Sequence, residues 1–106
     1  MAKYLIEATY TAQGLQGIVK DKASARKAAV ESLLKGVGGK LESIYYALGE
    51  TDVFVIADCP DTVSAAAIGI AVSSSGMVRT RTVPLLTVEE VDQALSKGLT
   101  YRAPGA

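Results

Sequence analysis

Residues 3–10 alternate between apolar side chains at one set of positions and polar or mixed side chains at the other. This period of two predicts a β-strand with one apolar face and one mixed face. Residues 77–83 alternate in the same way and place Arg79 and Arg81 on one face of a second strand. The two patterns predict the first and last strands of a sheet.

Two further strand patterns, residues 40–48 and 53–57, flank the segment Gly49-Glu50-Thr51-Asp52. Both flanks are rich in β-branched and aromatic residues, and a short polar segment that contains glycine separates them. That arrangement is typical of a β-hairpin. Because a helical pattern precedes it and another follows it, we expect the hairpin at the centre of the sheet.

An amphipathic helix is predicted from about Lys22 to Val37. Its apolar residues recur at i, i+3, i+4 and i+7, the spacing of one helix face. They are Val30, Leu33, Leu34 and Val37. Asp21 is expected to cap the start of this helix, and the glycines after Lys35 are expected to end it. The preceding segment, 11–20, contains two glycines and is predicted as a loop or a short irregular helix.

A second helix is predicted to begin near Pro60 or Asp61, and its expected buried stripe is Val63, Ala66, Ala67 and Ile70. A third helix follows the capping-box pattern from Thr87 to Glu90, with Leu86 and Val91 at the staple positions. It is expected to continue to about Lys97, where Gly98 stops it.

The predicted order is therefore β-α-β-β-α-β-α, and its first six elements match the ferredoxin-like α+β pattern of an antiparallel sheet with helices on one face. We predict one domain over 1–98 and a tail over 99–106. The other sheet face would carry Leu5 and Val83 beside charged residues, which is too apolar in part for exposure. A second copy of the chain is the simplest cover, so we expect at least a dimer.

Composition narrows the classes of function. The chain has 106 residues, eleven basic and eleven acidic, so its net charge gives no reason to expect nucleic acid or a membrane as a partner. It contains no histidine and one cysteine, Cys59, which argues against a metal site and an internal disulfide. We expect a cytoplasmic protein with no metal and no cofactor.

Several separated sequence blocks resemble the GYD domain family of small bacterial proteins. The blocks are Tyr10-Thr11-x-x-Gly14, Gly38-Gly39-Lys40, Tyr45-Tyr46-Ala47-Leu48-Gly49-Glu50-x-Asp52, Pro60-Asp61 and Gly76-x-Val78-Arg79-Thr80. The resemblance implies a dimeric α+β barrel and leaves the activity open. The chain departs from the family pattern at Thr51, where the tyrosine of the family's name would stand, so no role of that tyrosine carries over.

Glu7, Arg79 and Arg81 are the first candidate site. The first and last strands of this fold are antiparallel neighbours, so Glu7 is expected opposite or diagonal to one arginine. The functional interpretation is a polar cluster inside a dimeric barrel, in which arginine binds a carboxylate or another anion. The alternative is a cross-strand ion pair with no ligand, which is common in sheets.

The hairpin supplies the other candidates. Asp52, with Glu50 and Gly49 in the same motif, could bind a ligand or act as a base, or could only stabilise the turn. Tyr45 and Tyr46 are adjacent on a strand and must point to opposite faces. One should pack under the helices, and the other should face the barrel interior or a dimer interface, with or without a ligand.

Two further features of the sequence give weaker evidence for a functional site. Ser24-Ala25-Arg26-Lys27 places basic groups near a helix start, a weak signal for an anion in the absence of a phosphate-loop pattern. Cys59 is expected to be a small buried residue, since no histidine exists to activate it.

Three functions remain open from the sequence. The first is a homo-oligomer that binds a small anionic or oxygenated organic molecule inside the barrel. The second is an enzyme of the cofactor-free monooxygenase or isomerase kind, by analogy of fold. The third is a structural or regulatory oligomer without a ligand. A cavity lined by converging polar groups would favour the first two.

Overall fold

The computed structural model describes residues 1–106. The elements are β1 (Ala2–Tyr10), α1 (Ala12–Asp21), α2 (Ala23–Lys35), β2 (Lys40–Tyr46), β3 (Val53–Cys59), α3 (Thr62–Ser73), β4 (Val78–Leu85) and α4 (Val88–Leu95). One antiparallel sheet has the strand order β2-β3-β1-β4. This is an α+β fold of the ferredoxin-like type, as the order of the sequence patterns predicts.

The predicted hairpin is present, but only one of its strands lies in the centre of the sheet. β1 pairs with both β3 and β4, so β1 and β3 are the inner strands. β2 pairs with β3 alone and forms an edge. The expectation that the whole hairpin is central is therefore wrong, because β1 inserts between the hairpin and β4.

The hydrophobic core lies between the sheet and the helices. It is built from alternate residues of β1 and β3 and from a few residues of the helices and β4. The buried apolar residues are Tyr4, Ile6, Ala8, Leu34, Val53, Val55, Ala57, Cys59, Ala65, Ile68 and Val78. The stripe predicted for the first long helix packs here too: Leu34 is buried, and Val30, Leu33 and Val37 are partly buried against the core.

The segment predicted as a loop or short irregular helix is a regular helix, α1. Thr11 caps it by accepting a hydrogen bond from the Gly14 N–H to its side-chain oxygen at 3.1 Å. Gly14 is needed for packing, because a Cβ there would collide with the main-chain carbonyl of Met77. Glycine therefore marks a close approach of α1 to the backbone just before β4, and not a loop.

Asp21 does not cap the next helix. It is the last residue of α1, and Lys22, with φ of 75°, joins α1 to α2. No side chain caps the start of α2. The prediction of a single long helix after a loop fails because two helices meet here without a turn segment.

α3 begins as predicted and buries a different face. The Asp61 side chain accepts a hydrogen bond from the Ser64 N–H at 2.7 Å, and this bond lowers the pKa of Asp61. The buried residues are Ala65 and Ile68. The four residues of the predicted stripe are all exposed: Val63, Ala66, Ala67 and Ile70. α3 has no charged residue, so the sequence offers no polar face against which the buried face could be recognised.

α4 extends away from the body of the molecule. Its capping box forms as predicted: the Glu90 N–H donates to Thr87 Oγ1 at 3.1 Å, and the Thr87 N–H donates to Glu90 Oε1 at 2.9 Å. The helix ends at Leu95, earlier than predicted, and every residue in it is exposed, as is Leu86 of the predicted staple. The radius of gyration is 16.8 Å, against about 13 Å for a compact domain of this length.

None of the four helices combines the length and the apolar composition that a membrane crossing requires.

Candidate functional site: the open face of the sheet

The strand register divides the side chains of the sheet between a face covered by helices and a face with no helix, called here the open face. The inner strands and β4 place both apolar and charged residues on the open face. They are Lys3, Leu5, Glu7, Thr9, Phe54, Ile56, Asp58, Arg79, Arg81, Val83 and Leu85. The mixed character predicted for this face is therefore present across three strands.

One row of the open face crosses all four strands. Tyr45 pairs with Phe54, Phe54 with Glu7, and Glu7 with Arg81. With strands about 4.8 Å apart, the row is about 14 Å long. Two aromatic side chains therefore lie at one end of the row and two charged side chains at the other.

A polar pocket of about 320 Å³ opens at the charged end of this row. No hydrophobic residue lines it. Its lining residues are Glu7, Thr9, Glu50, Thr51, Arg79, Thr80 and Arg81. This open-face pocket brings together the predicted cluster of Glu7 with the two arginines and adds Glu50 from the hairpin.

Neither arginine is paired within the chain. Arg79 and Arg81 are exposed, and the only ion pairs belong to Lys3. Glu7 instead accepts a hydrogen bond from the Thr51 hydroxyl at 3.3 Å. The cross-strand ion pair considered from the sequence is therefore absent, although Glu7 and Arg81 stand directly opposite each other. The guanidinium groups keep their N–H donors free for an oxygen ligand.

A second charged cluster on the open face was not predicted. Lys3 Nζ lies 2.7 Å from Glu42 Oε1 and 3.0 Å from Asp58 Oδ1. The hydrogen bond to Glu42 and then that to Asp58 raise the pKa of Lys3. The pairing joins residues of β1, β2 and β3 beside the β-bulge between Leu41 and Ser43.

Asp52 lies outside the open-face pocket and stabilises the backbone. Its Oδ2 accepts a hydrogen bond from the Tyr10 N–H at 2.8 Å, and its own N–H donates to the Ala8 carbonyl at 2.9 Å. The Asp52 carbonyl accepts from the Ala47 N–H at 2.8 Å. These bonds join the hairpin loop to β1, which agrees with the structural alternative for Asp52. Gly49, with φ of 130°, adopts a backbone conformation suited to glycine.

The two tyrosines point to opposite faces, as predicted. Tyr45 is on the open face and is 70% exposed. Tyr46 faces the helices, where burial and, secondarily, its neighbour Tyr10 raise its pKa. Tyr46 therefore cannot reach the open-face pocket. Cys59 is buried in the core as expected, and burial raises the pKa of its thiol.

Sequence reasoning missed two hydroxyl groups of the pocket. Thr9 shares a face with Glu7 by simple alternation and donates a hydrogen bond to the Glu50 carbonyl at 2.9 Å. Thr51 reaches Glu7 from the hairpin loop. Alternation could have identified Thr9, but the loop conformation that directs Thr51 towards Glu7 has no pattern in the sequence.

A family model described as the GYD domain matches residues 4–95. The chain belongs to the GYD domain family. The match extends from β1 to the last residue of α4, so α4 is part of the family unit although all of its residues are exposed. Comparison with curated proteins and with solved structures found no match.

Thr51 lies in the hairpin loop between β2 and β3. Its hydroxyl lies in the open-face pocket and donates to Glu7. Thr51 therefore contributes to the shape and the hydrogen bonding of the open-face pocket.

Proposed function

We propose that this GYD domain protein is a homo-oligomer that binds a small anionic or oxygenated organic molecule at the open-face pocket, between the sheets of two copies. The observation that carries the proposal is the pair Arg79 and Arg81. They are separated by a single residue on β4 and lie on the open face, which no helix covers. Neither arginine has an ion-pair partner.

The case for a second copy rests on the apolar part of the open face. Leu5 pairs with Ile56 on one side and with Val83 on the other, so three aliphatic residues form a continuous row across the sheet. No helix of the same chain covers this row. A sheet face that carries such a row is usually covered by another surface, and the same face of a second copy provides one with two-fold symmetry.

The case for the ligand rests on the donors and acceptors around the open-face pocket. Two arginine forks suit a carboxylate or another planar anion. Glu7 and the hydroxyls of Thr9 and Thr51 can accept or donate hydrogen bonds to hydroxyl groups of the same molecule. Glu7 and Glu50 balance the charge of the two arginines, which disfavours a highly charged anion. Burial between two sheets would strengthen each of these contacts.

The test is native mass spectrometry of the protein purified from its own host, as wild type and as the double variant Arg79→Gln/Arg81→Gln. Wild type is expected as a dimer or larger assembly that carries a constant added mass, and the double variant is expected to lose that mass. The control, Lys20→Gln/Lys35→Gln, makes the same change of charge at exposed positions on α1 and α2 and should keep it.

An added mass that persists in the arginine variant would contradict the assignment of the site. An assembled wild type without any added mass, together with failure of small carboxylates and hydroxy acids to bind in titration, would overturn the ligand proposal. We also infer a cytoplasmic location, supported by the single cysteine, Cys59, which is free and buried and suits a reducing compartment.

A further inference from the structure

We propose a second ligand site on the opposite side of the sheet, in a cavity between the helices and β1 and β4. Its ligand class is a small monocarboxylic acid with an apolar body. The site and the open-face pocket lie on opposite faces of the sheet and have one lining residue in common, Thr80 of β4. The existence of the site does not depend on the function proposed above.

The cavity has a wide mouth and a narrow inner chamber. The mouth, of about 440 Å³, lies among α1, α2 and the end of α3. The chamber, of about 70 Å³, lies deeper, and 13 of its 15 lining residues are hydrophobic. Tyr10, Arg26, Val72 and Val78 line both parts, so the two are continuous. Their combined size lies in the usual range for ligand sites, about 300–1,000 Å³.

Arg26 lines both the mouth and the apolar chamber. Its Nε is buried and has no hydrogen-bond partner, the only buried side-chain nitrogen or oxygen of the chain in this condition. No carboxylate lies within ion-pair distance of Arg26. Buried donors in native proteins are nearly always satisfied. An oxygen of a bound carboxylate would accept from this Nε and would place a negative charge beside the guanidinium.

The remaining polar groups limit the charge of the ligand. Asp21 lines the mouth together with Gln13 and Ser75, and its carboxylate disfavours a second negative charge nearby. Tyr46 adjoins Tyr10 at the sheet, and the positive charge of Arg26 acts on it. Burial raises the pKa of Tyr46, so its hydroxyl stays neutral. A ligand that has one carboxylate bound to Arg26 and an apolar body directed towards the chamber fits this set of groups.

Gly17 provides a way to fill the cavity without disturbing the fold. It lines the mouth on α1, and a Cβ added there would meet no atom within 4 Å. A large side chain at position 17 would therefore occupy space that the ligand needs. Alanine at the same position adds one carbon and leaves most of the mouth free.

The experiment titrates ¹⁵N-labelled protein with sodium benzoate and with sodium hexanoate and follows amide shifts by NMR. Benzamide, which is neutral and has nearly the shape of benzoate, is the ligand control. Saturable shifts are expected around Gly17, Arg26 and Val72 with the acids and not with benzamide. Arg26→Gln should weaken benzoate binding by about tenfold or more, since it removes a charge-assisted contact.

Three further variants test the position of the site and separate it from the open-face pocket. Gly17→Leu should abolish benzoate binding, whereas Gly17→Ala should retain it. Arg79→Gln/Arg81→Gln should leave it unchanged. The proposal is overturned if neither acid produces saturable shifts at ~10 mM, a concentration far above ordinary ligand affinities. Unchanged affinity in Arg26→Gln, or equal affinity for benzamide and benzoate, would overturn it as well.

Discussion

Two glycines of α1 show how much a single missing Cβ can matter. Both lie in the same helix, but only Gly14 faces a neighbouring backbone, that of Met77 just before β4. Gly17 faces the empty mouth of the cavity. The same residue type therefore has opposite consequences at positions three residues apart.

Gly14→Ala is expected to destabilise the fold by about 1–3 kcal/mol, the usual cost of overpacking. The new carbon would meet the Met77 carbonyl, and this backbone group cannot move without its neighbours. Gly17→Ala is expected to raise the free energy of unfolding by up to about 1 kcal/mol, since alanine favours the helix and meets nothing. Urea denaturation followed by circular dichroism measures both. A Gly14→Ala protein as stable as Gly17→Ala would contradict the described close approach of α1 to the Met77 backbone.

Residue-level inference from the sequence gave mixed results for local chemistry. The Thr87 capping box forms as predicted, because it depends on residues three apart in the chain. The cap predicted at Asp21 does not form, because Asp21 is the last residue of α1. The Glu7 cluster was predicted from strand alternation and fold order alone. Glu7 accepts a hydrogen bond from Thr51 and does not form the ion pair with an arginine. This outcome could not be predicted, because it depends on the path of the hairpin loop.

At the scale of the element, strands were predicted more accurately than helices. A strand with one polar and one apolar face identifies its own buried side, as β1 does. α3 contains only apolar and small polar residues, so every stripe along it satisfies the same pattern. The buried face is chosen by the sheet against which the helix packs, and that information lies elsewhere in the chain.

The correction to α3 can be tested with a matched pair of isoleucines. Ile68 is 5% exposed and Ile70 is 69% exposed. Ile68→Ala is expected to lower the free energy of unfolding by about 2–4 kcal/mol, because it leaves a cavity in the core. Ile70→Ala should change it by less than about 0.5 kcal/mol. Chemical denaturation of both variants at one protein concentration gives the comparison, and a larger loss for Ile70→Ala would reverse the assigned face.

At the scale of the whole molecule, the structure leaves two apolar surfaces without a partner. One is the row of Leu5, Ile56 and Val83 on the open face. The other is the stripe of Val88, Val91 and Leu95 on α4, which is exposed along its length. The sequence predicted Leu5 and Val83 on the first surface, because alternation and strand order place them together, and the register of β1 with β3 adds Ile56. It did not predict that α4 would stand away from the sheet, since its capping and periodicity are those of an ordinary surface helix.

The central claim is that the open face is the surface on which copies of this chain associate around the arginine pocket. Leu5 lies in the middle of the aliphatic row, so Leu5→Lys places a charge at the centre of the proposed interface. Val63→Lys is the control, because it makes the same kind of change on the exposed face of α3. Circular dichroism would establish that both variants fold.

Sedimentation velocity of wild type and both variants is the most direct measurement. Wild type and Val63→Lys are expected to sediment as a dimer or larger assembly, and Leu5→Lys as a folded monomer. A wild-type monomer at all concentrations, or a Leu5→Lys protein that assembles as wild type does, would contradict the proposed interface.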